Sequence, residues 1–133
     1  MKKTIMLFAG TTEGRRICEF LAVKKCITHV YVTTEYGKEL LPGQNNVHIH
    51  VGKMDERQMS DEISVILPDI VIDATHPYAT QVTHNIKEAC DSRNIFYVRV
   101  LREENTEKAG NNADNIIYTE TMKDAVRLLN DDR

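Results

Sequence analysis

Two short polar motifs, Gly10-Thr-Thr-Glu-Gly14 and Asp73-Ala-Thr-His-Pro-Tyr-Ala79, each follow directly on a compact apolar run and each lead into residues at helical spacing. Two such junctions imply alternating strands and helices, and strands separated by helices favour a parallel sheet with right-handed crossovers. Sheets of this kind bind ligands outside the carboxyl ends of their strands, where the winding direction reverses. The two motifs are therefore expected to form two lips of one crevice.

The rest of the chain fits this alternation. Residues 4–9 form an apolar run closed by Gly10, and Ile17, Phe20 and Leu21 recur at helical spacing within 13–25. Residues 28–34 are rich in β-branched and aromatic side chains and read as a second strand, and 47–51 read as a third. Asp55 with Gln58 three residues on has the form of a capping box; Met59, Ile63, Ile66 and Leu67 then make an apolar helix face that Pro68 ends. Residues 69–74 and 95–101 read as the fourth and fifth strands. Between them Val82, Ile86, Ala89 and Cys90 form a helical stripe with Asn94 as its C-cap.

The expected fold class is α/β: a Rossmann-like, doubly wound parallel sheet of strand order 3-2-1-4-5 over residues 1–101. Residues 102–115 are polar, contain Gly110-Asn-Asn and read as a linker or exposed loop. A short strand at 116–118 and a helix displaying Met122, Ala125, Val126 and Leu129 would make 116–133 the beginning of a second, incomplete α/β unit.

A chain of 133 residues can bury roughly two-thirds of its unfolded surface, which is enough core without a disulfide or metal staple. A net charge of −3 with interspersed signs provides no basic stripe for nucleic acid. Cys18, Cys26 and Cys90 are odd in number and widely spaced, and Cys18 and Cys90 read as small buried hydrophobes within helices. The first apolar run is too short for a signal peptide and no segment approaches the roughly 20 apolar residues that span a bilayer, so a cytoplasmic protein is expected. His48 and His50 share one side of a strand without a third ligand, and His29 and His84 have no distinctive context. No metal site is expected.

At the first turn, a helix N-terminus offers N–H groups and a positive dipole end to a phosphate, with the Thr11 and Thr12 hydroxyls as further donors. Gly10 makes the turn, Gly14 lets the helix pack close to the sheet, and Glu13 either caps backbone amides or holds a ribose hydroxyl. The plainer alternative is an ordinary glycine turn with a threonine cap. Glu35, placed at the end of the second strand, would accept hydrogen bonds from an adenosine ribose and disfavour a 2′-phosphate, which leans toward NAD. Arg15, Arg16, Lys38 and Lys53 are the cations available to offset it. Gly52 and Lys53 either border an adenine pocket or form a solvent-exposed turn. At the second turn Pro77 forces His76 away from helical geometry and suits the first turn of the next helix, while His76 and Tyr78 can donate hydrogen bonds or protons.

Four stretches, Ala9-Gly-Thr-Thr-Glu-Gly14, Thr34-Glu-Tyr-Gly-x-Glu-Leu-Leu-Pro42, Val51-Gly-Lys-Met-Asp55 and Asp73-Ala-Thr-His-Pro-Tyr-Ala79, occur in an order and spacing that resembles the precorrin-6A reductase family of cobalamin biosynthesis. The resemblance implies an NADPH-dependent reductase acting on a double bond of a corrin-precursor macrocycle, cobalt-loaded or metal-free. It also implies two domains with cofactor and tetrapyrrole meeting between them. Gly10, Thr11, Thr12 and Glu13 would then line the cofactor site, and Thr75, His76, Pro77 and Tyr78 would border the nicotinamide or substrate. Ala9 departs from the glycine common there in the family. The chain is also about half the family length, so a C-terminal domain in cis or in trans would complete it, and the isolated chain is expected not to turn over. A reading of another class is a non-catalytic nucleotide-sensing module, which would have no use for the Thr-His-Pro-Tyr lip. A phosphate-accepting receiver with Asp73 as acceptor would need an acidic pair where Gly10-Thr-Thr stands.

Overall fold

The computed structural model describes residues 2–101 together with the strand Ile116–Tyr118. The elements run β1 (Lys3–Phe8), α1 (Thr12–Ala22), β2 (Cys26–Val32), α2 (Glu35–Glu39), β3 (Val47–Val51), α3 (Glu56–Ile66), β4 (Ile70–Asp73), α4 (Thr80–Ser92), β5 (Phe96–Leu101) and β6 (Ile116–Tyr118). All strand pairs are parallel, in the order β3-β2-β1-β4-β5-β6. From β1 the chain winds outward to β2 and β3, and α3 then returns it to β4 on the other side of β1. The reversal between β1 and β4 is the topological switch point.

Side-chain alternation along β1 explains why the sheet is covered on both faces. Ile5 and Leu7 point to one side and pack with Ile17, Cys18 and Leu21 of α1. Met6 and Phe8 point to the other and join Met59 and Ile63 of α3 with Ile86 and Cys90 of α4. Ile5, Leu7, Met6, Ile63 and Ile86 are essentially inaccessible, each worth about 1.5–3 kcal/mol relative to exposure. The three thiols belong to these cores, and burial pushes those of Cys18 and Cys90 up to about 12, so none is set up as a nucleophile.

The helix ends follow their local chemistry. The Asp55 side chain accepts from Gln58 N–H at 2.8 Å while the Gln58 side chain accepts from Asp55 N–H at 2.9 Å, the capping box expected at α3. Asn94 adopts a left-handed conformation (φ 55°), with Ile95 N–H bonded to the Cys90 carbonyl at 3.0 Å, a Schellman-type ending.

Several expectations shift. Strand β2 begins at Cys26 and ends at Val32, and Thr34 caps a short helix, α2, that the sequence pattern did not suggest. Five residues are too few to show a helical period. Leu67, expected on the apolar face of α3, is 68% exposed, because as the left-handed C-cap (φ 51°) it turns out of the helix before Pro68. Strand β6 pairs in parallel with β5, so its three residues extend the first sheet; the expected linker at 102–115 and helix at 121–129 lie outside the described residues. No helix among the described residues is long and apolar enough to cross a membrane.

Candidate functional site

Both motif turns open on one crevice of about 1000 Å³, whose wall includes Gly10, Thr11 and Thr12 after β1, Thr33 and Thr34 after β2, and His76, Pro77 and Tyr78 after β4. Loops some sixty residues apart in sequence meet because their parent strands are hydrogen-bonded neighbours, with Phe8 opposite Asp73.

Gly10 has φ +129°, a conformation L side chains rarely adopt, and a Cβ there would project into open space with nothing within 4 Å. Thr11 is the N-cap of α1: its hydroxyl oxygen accepts Gly14 N–H at 3.1 Å. That hydroxyl donates its one proton to the Ala74 carbonyl at 2.7 Å, so the expected role of Thr11 as a hydroxyl donor to phosphate is not available in this arrangement. Thr12 and Glu13 open α1 on the crevice, Glu13 being buried at 8% exposure. Arg15 lies on the same wall, its Nε buried without a hydrogen-bond partner and 3.9 Å from the Glu19 carboxylate.

Of the residues singled out from the sequence, Gly14, Arg16, Glu35, Lys38, Gly52, Lys53 and Thr75 lie off this wall. Gly14 sits behind it, where a Cβ would come within 2.9 Å of Ala9 Cα and Cβ; its role is the close approach of α1 to β1. Glu35 is not at the end of β2 but three residues beyond, exposed in the first turn of α2, because the strand stops at Val32. Lys53 is exposed after β3 and, like Gly52, is absent from the crevice wall. Thr75 is half-buried and turned to Asp73. In exchange, α2 and its caps bring to the wall residues that the sequence reading quoted within the Thr34–Pro42 motif but gave no site role: Thr34, whose side chain accepts Gly37 N–H at 3.0 Å, and the exposed Tyr36 and Leu40. The one sequence signal for this turn is a threonine followed by glutamate, an N-cap with an acid in the first helical turn, and alone it does not set the helix apart from the end of a strand.

The second lip rests on a buried polar cluster. Asp73 is inaccessible, and its carboxylate accepts from Thr75 N–H (3.1 Å), Thr75 Oγ1 (2.7 Å), Thr83 Oγ1 (2.8 Å), Tyr97 O–H (2.8 Å) and Arg99 Nη1 (3.3 Å). A buried carboxylate persists only when so supplied with donors. Burial, reinforced by the Asp73 charge, raises the Tyr97 phenol well above its ordinary range and keeps it a donor. So enclosed, Asp73 is closed to the phosphate-acceptor role of a receiver. Pro77 is not in the first turn of α4, which starts at Thr80. It occupies the second position of a β-turn closed by Ala79 N–H donating to the His76 carbonyl at 2.9 Å, where its fixed φ is suited. His76 Nδ1 accepts Tyr78 N–H at 3.0 Å, and the Tyr78 side chain is 86% exposed at the crevice mouth.

Away from the crevice, His29 and His50 meet at 3.1 Å between Nδ1 and Nε2, and His29 stacks on His48. The register His29 opposite His48 makes this contact, and only pairing of β2 with β3 reveals it. Among the described residues no group of three His, Cys, Asp or Glu side chains is arranged to hold a metal ion.

The crevice thus joins a helix N-terminus, an arginine, threonine hydroxyls and a histidine–tyrosine lip, a set suited to an elongated phosphorylated ligand. Residues 4–132 match the family described as precorrin-6x reductase CbiJ/CobK. A cobalt-precorrin-6A reductase of Methanocaldococcus jannaschii is 34% identical over 126 residues, covering 93% of this chain and 48% of that protein. Its counterpart in Methanothermobacter thermautotrophicus is 32% identical over 104 residues, covering 77% and 34%. The chain therefore spans half or less of the length of these relatives. Among solved structures, CobK precorrin-6A reductase superposes with a TM-score of 0.66 at 25% identity, over 83% of this chain and 43% of that one. The Bordetella bronchiseptica enzyme WbmG, solved with NAD and UDP, superposes with a TM-score of 0.65 at 14% identity, over 77% and 38%, a likeness of fold alone.

Proposed function

The chain belongs to the precorrin-6x reductase CbiJ/CobK family, and from that premise we propose that it supplies the NADPH-binding portion of an enzyme that reduces a macrocycle double bond of precorrin-6A or cobalt-precorrin-6A in cobalamin biosynthesis. The observation that carries this reading is the meeting of the Gly10–Thr12 turn and the His76–Tyr78 lip on one crevice at the switch point.

The residues present fit a dinucleotide. The open space beside Gly10 leaves room for a pyrophosphate at the α1 N-terminus, and Arg15, on the wall with its side chain 40% exposed, offers its guanidinium to an anion. Glu35, whose charge argued against a 2′-phosphate, lies off the wall, while Thr33, Thr34 and Arg15 lie on it. This favours NADPH over the NAD leaning of the sequence alone. NADPH, when bound, would supply the hydride. The chain's own part is to hold the phosphates at α1, to orient the nicotinamide end toward the second lip, and to offer hydrogen bonds from His76 and the exposed Tyr78 phenol at the crevice mouth. Tyr36, Leu40 and Tyr78, apolar and exposed around that mouth, would face the tetrapyrrole or the domain that completes the site.

Calorimetric titration of this chain with NADPH and NADH tests the cofactor reading. Saturable binding that is tighter for NADPH is expected; equally weak binding of both would remove it. Turnover is expected only from a chain extended to the full length of the relatives, and reduction of precorrin-6A by residues 1–133 alone would overturn the half-enzyme reading.

A further inference from the structure

Arg99 stands in the middle of β5 with 7% of its surface exposed, an uncommon place for a charge, and its donors serve more than the ion pair with Asp73. Nη1 donates to the Asp73 carbonyl at 3.2 Å and to the Thr75 carbonyl at 2.9 Å, and Nη2 donates to the His76 carbonyl at 3.4 Å. One planar guanidinium thus gathers three carbonyls of the chain as it leaves β4. A lysine, with a single point charge, cannot span them in that way.

What this grip controls is the His76 ring. His76 is exposed, and its ring meets that of Tyr78 from the same turn with centroids 5.1 Å apart, so the turn sets its orientation. Its carbonyl is held by Arg99 and by Ala79 N–H, and its Nδ1 takes the Tyr78 N–H at 3.0 Å. A backbone N–H can only donate, so Nδ1 must present its lone pair. The neutral ring then carries its proton on Nε2.

We infer that Arg99 is the positioning residue of the second lip: by clamping the carbonyls of Asp73, Thr75 and His76 it holds the turn that keeps His76 in the Nε2–H form at the crevice. Arg99 touches no ligand in this role. Its value to catalysis rests on the proposal that the crevice binds nucleotide, but its geometry does not.

Nitrogen-15 correlation spectroscopy of the imidazoles, recorded on this chain without nucleotide at about pH 8, above the ordinary histidine range, reads the tautomer directly. The wild type is expected to show His76 as the Nε2–H form. Arg99→Lys is expected to give a mixture of tautomers, with amide exchange at Tyr78 and Ala79 faster by about tenfold or more, since charge-assisted contacts are lost from their turn. Thr83→Val removes a different Asp73 contact and is expected to leave the tautomer unchanged. A wild type without the Nε2–H preference, an Arg99→Lys protein that keeps it, or a Thr83→Val protein that loses it equally would each overturn the inference. Should Arg99→Lys fail to fold, the charge-neutral pair Asp73→Asn with Arg99→Gln carries the same expectation. Because no nucleotide is present, failure here is separate from failure of the NADPH titration.

Discussion

Thr11 donates its hydroxyl proton to the Ala74 carbonyl at 2.7 Å, joining the turn after β1 to the end of β4 across the switch point. The same oxygen caps α1 by accepting Gly14 N–H. One side chain therefore fixes the helix start and the spacing of the two lips.

Thr11→Val keeps the shape and removes both bonds, leaving the buried Ala74 carbonyl without its partner. A loss of about 1–3 kcal/mol is expected in urea unfolding, with Thr11→Ser retaining most of the stability. A Thr11→Val protein as stable as the wild type would mean that the tie contributes nothing.

Gly14→Ala sets two effects against each other. Alanine in a helix gains up to about 1 kcal/mol over glycine. Here its Cβ would meet Ala9 Cα and Cβ at 2.9 Å, backbone that cannot move without dragging β1. Overpacking costs about 1–3 kcal/mol, so a net loss is expected. Thermal unfolding that shows a more stable variant would contradict the close approach.

Arg15→Gln separates the two nicotinamide nucleotides. If Arg15 serves the 2′-phosphate, NADPH affinity falls by about tenfold or more while NADH affinity changes little. Equal losses for both would instead put Arg15 at the shared pyrophosphate, and no loss for either would remove it from the site.

The histidine contact on the β2–β3 edge predicts acid sensitivity. Partial burial, then the neighbouring His50 and His48, lower the His29 pKa below the ordinary 6.5, and Glu62 only partly opposes them. The unfolded chain therefore takes up this proton first as pH falls. Stability from neutral His29 is complete above about 6.5 and is lost as pH drops from there toward the folded value. Urea midpoints between about pH 7.5 and 5.5 should fall more steeply in the wild type than in His29→Gln; parallel slopes would show that His29 carries no such linkage.

Much of this was legible before any coordinates. The alternation of apolar runs with helical spacing dictated a parallel doubly wound sheet, because strands buried on both faces need helices between them. That topology alone brought Gly10–Thr12 and His76–Tyr78 to one crevice, and the Asp55–Gln58 cap was written in four consecutive residues. Short-range chemistry is readable because its partners are near in sequence.

The rest required the packed molecule. Where β2 stops, and hence that Glu35 leaves the wall and α2 joins it, depends on pairing and capping too brief to leave a period. That the Thr11 proton goes to Ala74, that Arg99 reaches three carbonyls of the second lip, and that His29 meets His50 are all matters of register between separate strands. Hydrogen bonds demand placement to within a few tenths of an ångström, and only the assembled sheet sets distances of that kind.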